Sequence, residues 1–170
     1  PGASLSTDEH TLPEFLDAGG SGYAHAWIGK WHLAGQNPNH PNDSGWAYFA
    51  GILGGGVRSY TRWTRTVNGQ SSTSGIYATT QIVNDALSWI SSNNTPWVCV
   101  VAFNAPHTPF HEPPNHLHGV NLTGLDPGTT PLPFYRAAIE AMDTEIGRLL
   151  GSLGTELART NVFFLSLIHI

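Results

Sequence analysis

Two short segments contain the residues of this chain that could do chemistry. The first is Gly-Lys-Trp-His-Leu at residues 29–33, and it holds His32 and Lys30, the only lysine among the 170 residues. The second is Asn-Ala-Pro-His-Thr-Pro at residues 104–109, centred on His107. An ammonium group offers a compact positive charge with several hydrogen-bond donors, and an imidazole exchanges a proton near neutral pH. Together these residue types indicate a site that binds an anion and moves a proton.

A predicted β-strand precedes each of the two segments. Residues 23–28 are typical of a short strand ending at Lys30, and residues 97–103 form a continuous apolar run, as in a buried parallel strand. Apolar residues at helical spacing predict helices over residues 82–90 and 135–153. This alternation predicts an α/β fold with a mostly parallel sheet. Because ligands of such sheets bind beyond the carboxyl ends of the strands, we expect Lys30, His32 and His107 to converge at one edge.

Three local patterns add further elements. Residues 6–9 (Ser-Thr-Asp-Glu) fit a capping box, which predicts the start of a helix with an apolar stripe at Leu12, Phe15 and Leu16. The dipeptide Asn68-Gly69 predicts a hairpin turn with residues 60–67 as one arm, inside an otherwise loop-like stretch over residues 34–75. Residues 162–164 (Val-Phe-Phe) predict the beginning of another buried strand.

Composition excludes several classes of protein. The formal net charge of -5 argues against a nucleic-acid binder, which would carry a basic face. No apolar stretch is long enough to span a bilayer. The single cysteine, Cys99, is followed by Val100 and Val101 and is predicted to be a small buried side chain rather than a nucleophile. One cysteine gives no information about the cellular compartment.

Other charged and glycine-rich groups have two interpretations each. A cluster of Arg58, Arg62 and Arg65 could form a rim for a sulfated glycan, but a solvated hairpin face is the favoured interpretation. Residues 54–56 (Gly-Gly-Gly) lack the Lys-Ser/Thr that completes a phosphate-binding loop. A zinc site is disfavoured because the candidate histidines lie among prolines and no three share a helical face; they are His107, His111, His116 and His118.

The paired segments resemble the sulfatase family of the alkaline-phosphatase superfamily. The resemblance covers nearly all of residues 5–164 and rests on Gly-Lys-Trp-His-Leu followed by Pro-His-Thr-Pro. Residues 45–51 resemble the family's Gly-Phe-Asp-x-Phe-x-Gly segment, with Ala47 where an aspartate is usual. Residues 75–79 resemble its tyrosine-bearing helix, and residues 135–153 resemble the helix before its second metal-binding strand.

The resemblance implies an alkaline-phosphatase-like sandwich that is incomplete in this chain, and roles for three residues. Lys30 and His107 would bind the sulfate group, His32 would hydrogen-bond the nucleophile, and His107 would assist the leaving group. The family nucleophile is a formylglycine made from Cys or Ser in a Cys/Ser-x-Pro-x-Arg motif, which this sequence does not contain. The family's calcium ligands are likewise expected outside this chain, so we expect no metal ligand within it.

We therefore predict a partial sulfatase catalytic domain over residues 1–164. Residues 165–170 resemble a translated adapter from DNA library preparation and are predicted not to be native. The intact parent would hydrolyse a small-molecule or glycan sulfate ester, and this polypeptide alone is expected to be inactive. The resemblance by itself suggests a periplasmic or extracellular protein, and the oligomeric state stays open.

Two other functions remain open at the level of sequence. One is a phosphomonoester or phosphonate-ester hydrolase of the same superfamily, which the missing nucleophile region would distinguish. The other is a non-catalytic anion- or glycan-binding module that retains the scaffold.

Overall fold

The computed structural model describes residues 4–35 and 37–165, and its centre is a five-stranded mixed sheet of order β4-β3-β2-β1-β5. Short 3-10 helices cover Asn115–Leu117 and Gly154–Arg159. The elements in chain order are α1 Leu12–Ala18, β1 Ala24–Lys30, α2 His40–Asp43, β2 Tyr48–Ile52, β3 Trp63–Val67, β4 Gln70–Ser74, α3 Ala78–Ser91, β5 Trp97–Ala102 and α4 Pro131–Leu153. The α/β class predicted from the sequence is confirmed.

The parallel part of the sheet positions the candidate site. Strand β1 pairs in parallel with β2 on one side and with β5 on the other, so the carboxyl ends of all three strands share one edge. Near that edge Gly29 lies opposite both Gly51 and Ala102. A Cβ atom on Gly29 would overlap the Ala102 carbonyl oxygen, and the φ of Gly29 is +107°. Only glycine permits this close approach of the backbones.

The antiparallel part is the hairpin predicted at Asn68-Gly69. Strands β3 and β4 pair from Trp63–Ser74 to Val67–Gln70, and the two turn residues both have positive φ, 42° and 80°. Positive φ at both central residues is the requirement of a type I′ turn, which Asn-Gly satisfies cheaply. The Asn68 side chain also accepts a hydrogen bond from the Phe49 N–H at 2.8 Å and thereby ties the turn to β2.

Apolar side chains cover both faces of the parallel strands. On one face, Ala26 and Ile28 of β1 pack against Ile82 and Ala86 of α3. On the other face a buried aromatic cluster forms around Trp31, Trp46, Phe49 and the half-buried Trp27. Helix α4 packs against α3, where the buried Glu145 accepts a hydrogen bond from the Thr80 hydroxyl at 2.6 Å. The sheet edge that bears the candidate site is therefore supported by apolar packing on both faces of the parallel strands.

Two local predictions were wrong. The first helix does not begin at residues 6–9: Thr11 is its N-cap, and the Glu14 carboxylate accepts the Thr11 N–H at 2.7 Å, one half of a capping box. Pro13 in the first turn favours the later start, since its fixed φ suits that position. Residues 162–164 form no strand, and Phe163 is 84% exposed. A strand requires a hydrogen-bonded neighbour, and within residues 4–35 and 37–165 this segment has none.

The edge strand β5 differs from its prediction in one respect. It pairs in parallel with β1, but in the described part of the chain its other edge is unpaired and its six residues are half-buried. The predicted non-native tail lies mostly outside the described residues, except for Leu165, which is exposed. In the portion that is described, no helix combines the length and apolarity needed to cross a membrane.

Candidate active site

His32 lies just past the end of β1 in an unusual backbone conformation. The sheet pairing continues beyond β1, because the Trp31 N–H donates to the Ile52 carbonyl at 2.9 Å and the His32 N–H donates to the Leu53 carbonyl at 3.0 Å. At His32 the φ is +66°, in the left-handed region that non-glycine residues rarely adopt. Such conformations concentrate at functional sites, where the surrounding structure holds them.

A glycine makes room for the imidazole of His32. A Cβ atom added to Gly55 would lie only 2.5 Å from His32 Nε2 and 2.6 Å from Cε1. The exposed imidazole ring therefore rests directly on the Gly55 backbone, and no larger residue fits there without displacing it.

The next glycine faces the second histidine. His107 follows β5 by five residues, and a Cβ atom on Gly56 would lie 3.5 Å from His107 Nδ1. This nitrogen is 2.9 Å from the Thr108 carbonyl oxygen, which can only accept a hydrogen bond. In the neutral ring Nδ1 therefore bears the proton and Nε2 keeps its lone pair. The exposed His107 is thus arranged with a free basic nitrogen.

Lys30 is the last residue of β1 and lies opposite Ile52 of β2. Its backbone carbonyl accepts a hydrogen bond from the Trp27 indole at 2.8 Å, which fixes the end of the strand. The half-buried side chain forms no ion pair with any described carboxylate. Its charge is therefore available to an anionic ligand.

The structure places these three residues along one stretch of chain. Residues 52–56 run past Lys30, then past His32, and then past His107. The triglycine segment, which lacks a phosphate-loop sequence, thus lies directly against the His32 imidazole and close to the His107 imidazole. Their roles in sulfate binding and proton transfer stay predictions.

Two tyrosines and a third histidine hold the loop that carries His107. The Tyr60 hydroxyl donates to the His107 carbonyl at 2.8 Å, and the Tyr60 ring stacks on His111 with centroids 4.0 Å apart. His111 Nδ1–H donates to the Pro109 carbonyl at 3.0 Å, so its Nε2 accepts the Tyr77 hydroxyl at 3.0 Å. These contacts fix the loop at several points around His107.

Burial determines the protonation of this cluster. Burial lowers the pKa of His111, and its hydrogen bond to the Pro109 carbonyl opposes that change in part. Burial also raises the pKa of Tyr60, and it raises the pKa of Tyr77 to about 12. All three groups are therefore neutral near pH 7, as the hydrogen bonds among them require.

The described residues do not by themselves form a metal site. Among residues 4–35 and 37–165, no group of three or more His, Cys, Asp or Glu side chains lies close enough to hold a metal ion. The four histidines considered for zinc are all among the described residues and form no such group. Three of them, His107, His111 and His118, hydrogen-bond to backbone carbonyls. Calcium prefers six to eight oxygen ligands, and the buried Asn104, whose amide has no partner in the described portion, would supply one oxygen only.

Two other groups have clear positions. Arg65 donates two hydrogen bonds of 2.8 Å to the buried Asp85, so it is separated from Arg58 and Arg62, which border a cleft. The predicted arginine cluster therefore divides in two.

Cys99 packs against the core of α3 and β1, and burial raises the pKa of its thiol to about 12. A thiol that stays protonated is not a nucleophile at neutral pH.

Parallel strands with a cation and imidazoles at their carboxyl ends are the arrangement expected of an α/β protein that binds an anion at this edge of the sheet. The chain belongs to the sulfatase family, whose family model matches residues 3–166. A segment of 48 residues is 46% identical to arylsulfatase G of the dog, Canis lupus familiaris, covering 28% of this chain and 9% of that protein.

Solved structures share the fold. The complex of Ps i-CgsB with k-i-k-neocarrahexaose superposes with a TM-score of 0.72 at 20% identity, covering 91% of this chain and 38% of that one. The PsFucS1 sulfatase from Pseudoalteromonas sp. gives a TM-score of 0.58 at 17% identity, with 87% and 35% covered. BT4656 in complex with its substrate D-glucosamine-2-N,6-O-disulfate gives 0.56 at 17% identity, with 92% and 39% covered. The chain spans well under half the length of these structures.

Sequence reasoning missed the residues that support the site. Gly55 and Gly56 were considered only as a phosphate loop, and Tyr60 only as part of a hairpin arm. A usable signal was present: a triglycine follows the apolar stretch of β2, at the edge where β1 also ends. His111 gave no signal of its own, because its partners are 34 and 51 residues away in the chain.

Proposed function

We propose that this chain is the central portion of a sulfatase catalytic domain whose intact protein hydrolyses sulfate esters. The observation that carries the proposal is the placement of His32, in a left-handed conformation on Gly55, beside His107 on Gly56. Lys30, with no carboxylate partner in the described chain, ends the same strand that His32 follows. The family membership and the short coverage of the solved structures support the same interpretation.

Each residue has a distinct task in this mechanism. The Lys30 ammonium group binds a non-bridging oxygen of the sulfate and offsets its negative charge. His107 donates to the sulfate from a protonated ring, or delivers a proton to the departing alcohol oxygen, through the Nε2 that its Thr108 contact leaves free. His32 hydrogen-bonds the nucleophile and accepts a proton when sulfate is released. The net reaction consumes one water and yields sulfate and an alcohol.

The nucleophile and the metal lie outside this chain in our proposal. A formylglycine from a Cys/Ser-x-Pro-x-Arg motif supplies a hydroxyl nucleophile, and Cys99 is unsuited because burial keeps its thiol protonated. A calcium ion would be held by residues outside the chain and would supply positive charge at the sulfate. None of the tasks assigned to Lys30, His32 or His107 passes through that ion.

The substrate we propose is a sulfate ester of a carbohydrate. BT4656 was solved with D-glucosamine-2-N,6-O-disulfate as its substrate, and Ps i-CgsB with a neocarrahexaose. These proteins share the fold at 17% and 20% identity, so they support the class of substrate and no particular sugar.

The first experiment is to sequence the DNA that flanks this segment in its source. We expect an upstream aspartate pair with Cys/Ser-x-Pro-x-Arg, and an Asp-Asn or Asp-His shortly after residue 164. A stop codon directly after residue 170, with no nucleophile motif upstream, would overturn the proposal that the protein is an enzyme. An anion-binding module would then be the favoured function.

The longer protein is then assayed on 4-nitrophenyl sulfate and 4-nitrophenyl phosphate. We expect the sulfate to be the better substrate, and each of K30A, H32A and H107A to lower kcat/KM by about 100-fold or more. The matched control is R136A, which removes an exposed cation of α4 outside the site. A preference for the phosphate would favour a phosphomonoesterase of the same superfamily.

A further inference from the structure

The β3–β4 hairpin has two chemically different faces. Side chains two residues apart on a strand share a face, so Thr64 and Thr66 point one way and Arg65 points the other way. Arg62, one residue before the strand, lines the same cleft as Thr64 and Thr66. The register places Thr73 beside Thr64 and Ser71 beside Thr66. One face therefore presents three exposed hydroxyl groups, those of Thr64, Ser71 and Thr73, with the buried Thr66 between them, while Arg65 on the opposite face binds Asp85 of α3.

The hydroxyl-bearing face forms the floor of a cleft. This cleft has a volume of about 400 Å³, within the range of small-ligand sites, and Arg58 and Arg62 both line it. It extends to Gly54 and Gly56. Since a Cβ atom on Gly56 would lie 3.5 Å from His107 Nδ1, the cleft opens beside the proposed sulfate site.

The charges of the cleft select an anion. Arg58 and Arg62 are exposed, and neither forms an ion pair with a described carboxylate, whereas Arg65, Arg148 and Arg159 all do and Arg136 is a single exposed cation on α4. No Asp or Glu of the described chain lines the cleft, although the protein has 12 acidic residues and a net charge of -5. Unpaired cations are thus gathered here against the overall charge of the molecule.

The polar groups of the cleft match a sugar better than an aromatic alcohol. Thr64 and Thr73 are exposed, and Thr66 and Ser71 share a hydrogen bond of 2.8 Å while each retains further bonding capacity. The one aromatic residue of the lining, Trp63, is 4% exposed, and its indole donates to the Ile76 carbonyl. It offers no open ring face for an aryl group.

We propose that this cleft binds the sugar of a multiply sulfated carbohydrate, with Arg58 and Arg62 holding a second anionic group beside the ester that is cleaved. The hydroxyls of Thr64, Ser71 and Thr73 hydrogen-bond the sugar. This assignment rests on the proposed function, because it takes the sulfate at Lys30 and His107 as the first anionic group. Arg65 is excluded from the cleft by its contact with Asp85.

Binding measurements on the 170-residue chain test the assignment. Sucrose octasulfate is the probe, because it presents sulfates in many directions on a sugar, and inorganic sulfate and unsulfated sucrose are the reference ligands. We expect sucrose octasulfate to bind at least tenfold tighter than sulfate. The double variant R58A/R62A should weaken the octasulfate about tenfold and reduce the salt dependence of its binding.

Two further variants separate this inference from the proposed function. T64V/T73V removes two exposed hydroxyls and keeps the shape of the strand, and it should weaken the octasulfate a few-fold. R136A should change nothing. The inference is overturned if the octasulfate binds no better than sulfate, or if R58A/R62A binds it as the unaltered chain does. The proposed function fails separately if K30A and H107A leave sulfate affinity unchanged.

Discussion

His32 shows how much of the candidate site depends on a single backbone conformation. Within the described chain it is one of two non-glycine residues with positive φ, and the other, Asn68, occupies a turn that favours this geometry. No turn of that kind explains His32. Its conformation aims the imidazole at Gly55, where the absence of a side chain admits the ring.

The variant G55A tests this dependence. The added methyl group would lie 2.5 Å from His32 Nε2, so the ring must move, and a displacement of about 1 Å at a catalytic group costs on the order of 100-fold in rate. We expect kcat/KM of the longer enzyme to fall by about that factor. G75A is the matched control, because its methyl group would meet nothing within 4 Å and Gly75 lies outside the cleft. Unchanged turnover in G55A would show that His32 is not positioned by this contact.

His111 should make stability depend on pH. Burial lowers its pKa in the folded chain, so below its ordinary value near 6.5 the unfolded state binds a proton that the folded state does not. This contribution to the free energy of unfolding is therefore complete above about pH 7 and declines on acidification. The measurement is the urea midpoint at pH 7.5 and 5.5.

The variant H111F should lose part of that acid sensitivity while keeping a ring stacked on Tyr60. H116F is its control, because His116 is exposed. Equal acid sensitivity in the unaltered chain and in H111F would rule out His111 as the titrating group.

At the scale of elements, the Arg65–Asp85 pair joins β3 to α3. Asp85 is 6% exposed and accepts two hydrogen bonds from Arg65 and one from Gln81. R65A would leave the buried carboxylate without its cation, and we expect a loss of about 3 kcal/mol in the free energy of unfolding. R62A removes an exposed arginine one residue before the same strand and should change stability by less than about 0.5 kcal/mol. Urea unfolding of both variants makes the comparison, and equal stabilities would contradict this account.

The elements differ in how well the sequence predicted them. Helices α3 and α4, strands β1 and β5 and the hairpin followed from local periodicity and turn chemistry, and they were confirmed. Strand β2 was missed because a short apolar run containing Gly51 lies among polar loop residues. The strand predicted at residues 162–164 was wrong because pairing, which no local pattern encodes, decides whether an apolar segment becomes a strand.

The residues of the candidate site also differ in whether the sequence could predict them. Lys30, His32 and His107 are visible from their residue types and from the strands that precede them. Gly55 acquires its meaning only when β2 pairs beside β1 and carries the triglycine segment under the imidazole. The left-handed φ of His32 and the contacts of Tyr60 are likewise products of tertiary structure, so they could not be predicted from local sequence patterns.

At the scale of the whole molecule, strand β5 leaves one edge of the sheet unpaired in the described chain. Its sequence, Trp-Val-Cys-Val-Val-Ala, is apolar and half-buried, and such an edge in the described chain can pair with another copy. We expect the isolated chain to self-associate and V98K to reduce this, as measured by light scattering. S91K adds the same charge at the exposed end of α3 and should not reduce it. Equal scattering from the two variants would exclude the β5 edge as the interface.

The two-faced hairpin has a consequence for substrate preference. Its even-numbered β3 positions and their β4 partners border the cleft, whereas Arg65 anchors the hairpin to α3 from behind. His32 and His107, proposed to be catalytic, belong to other segments of the chain. If the cleft binds a sugar as proposed, substitutions at positions 62, 64, 71 and 73 could change the preference for sugars without altering the anchor or these histidines.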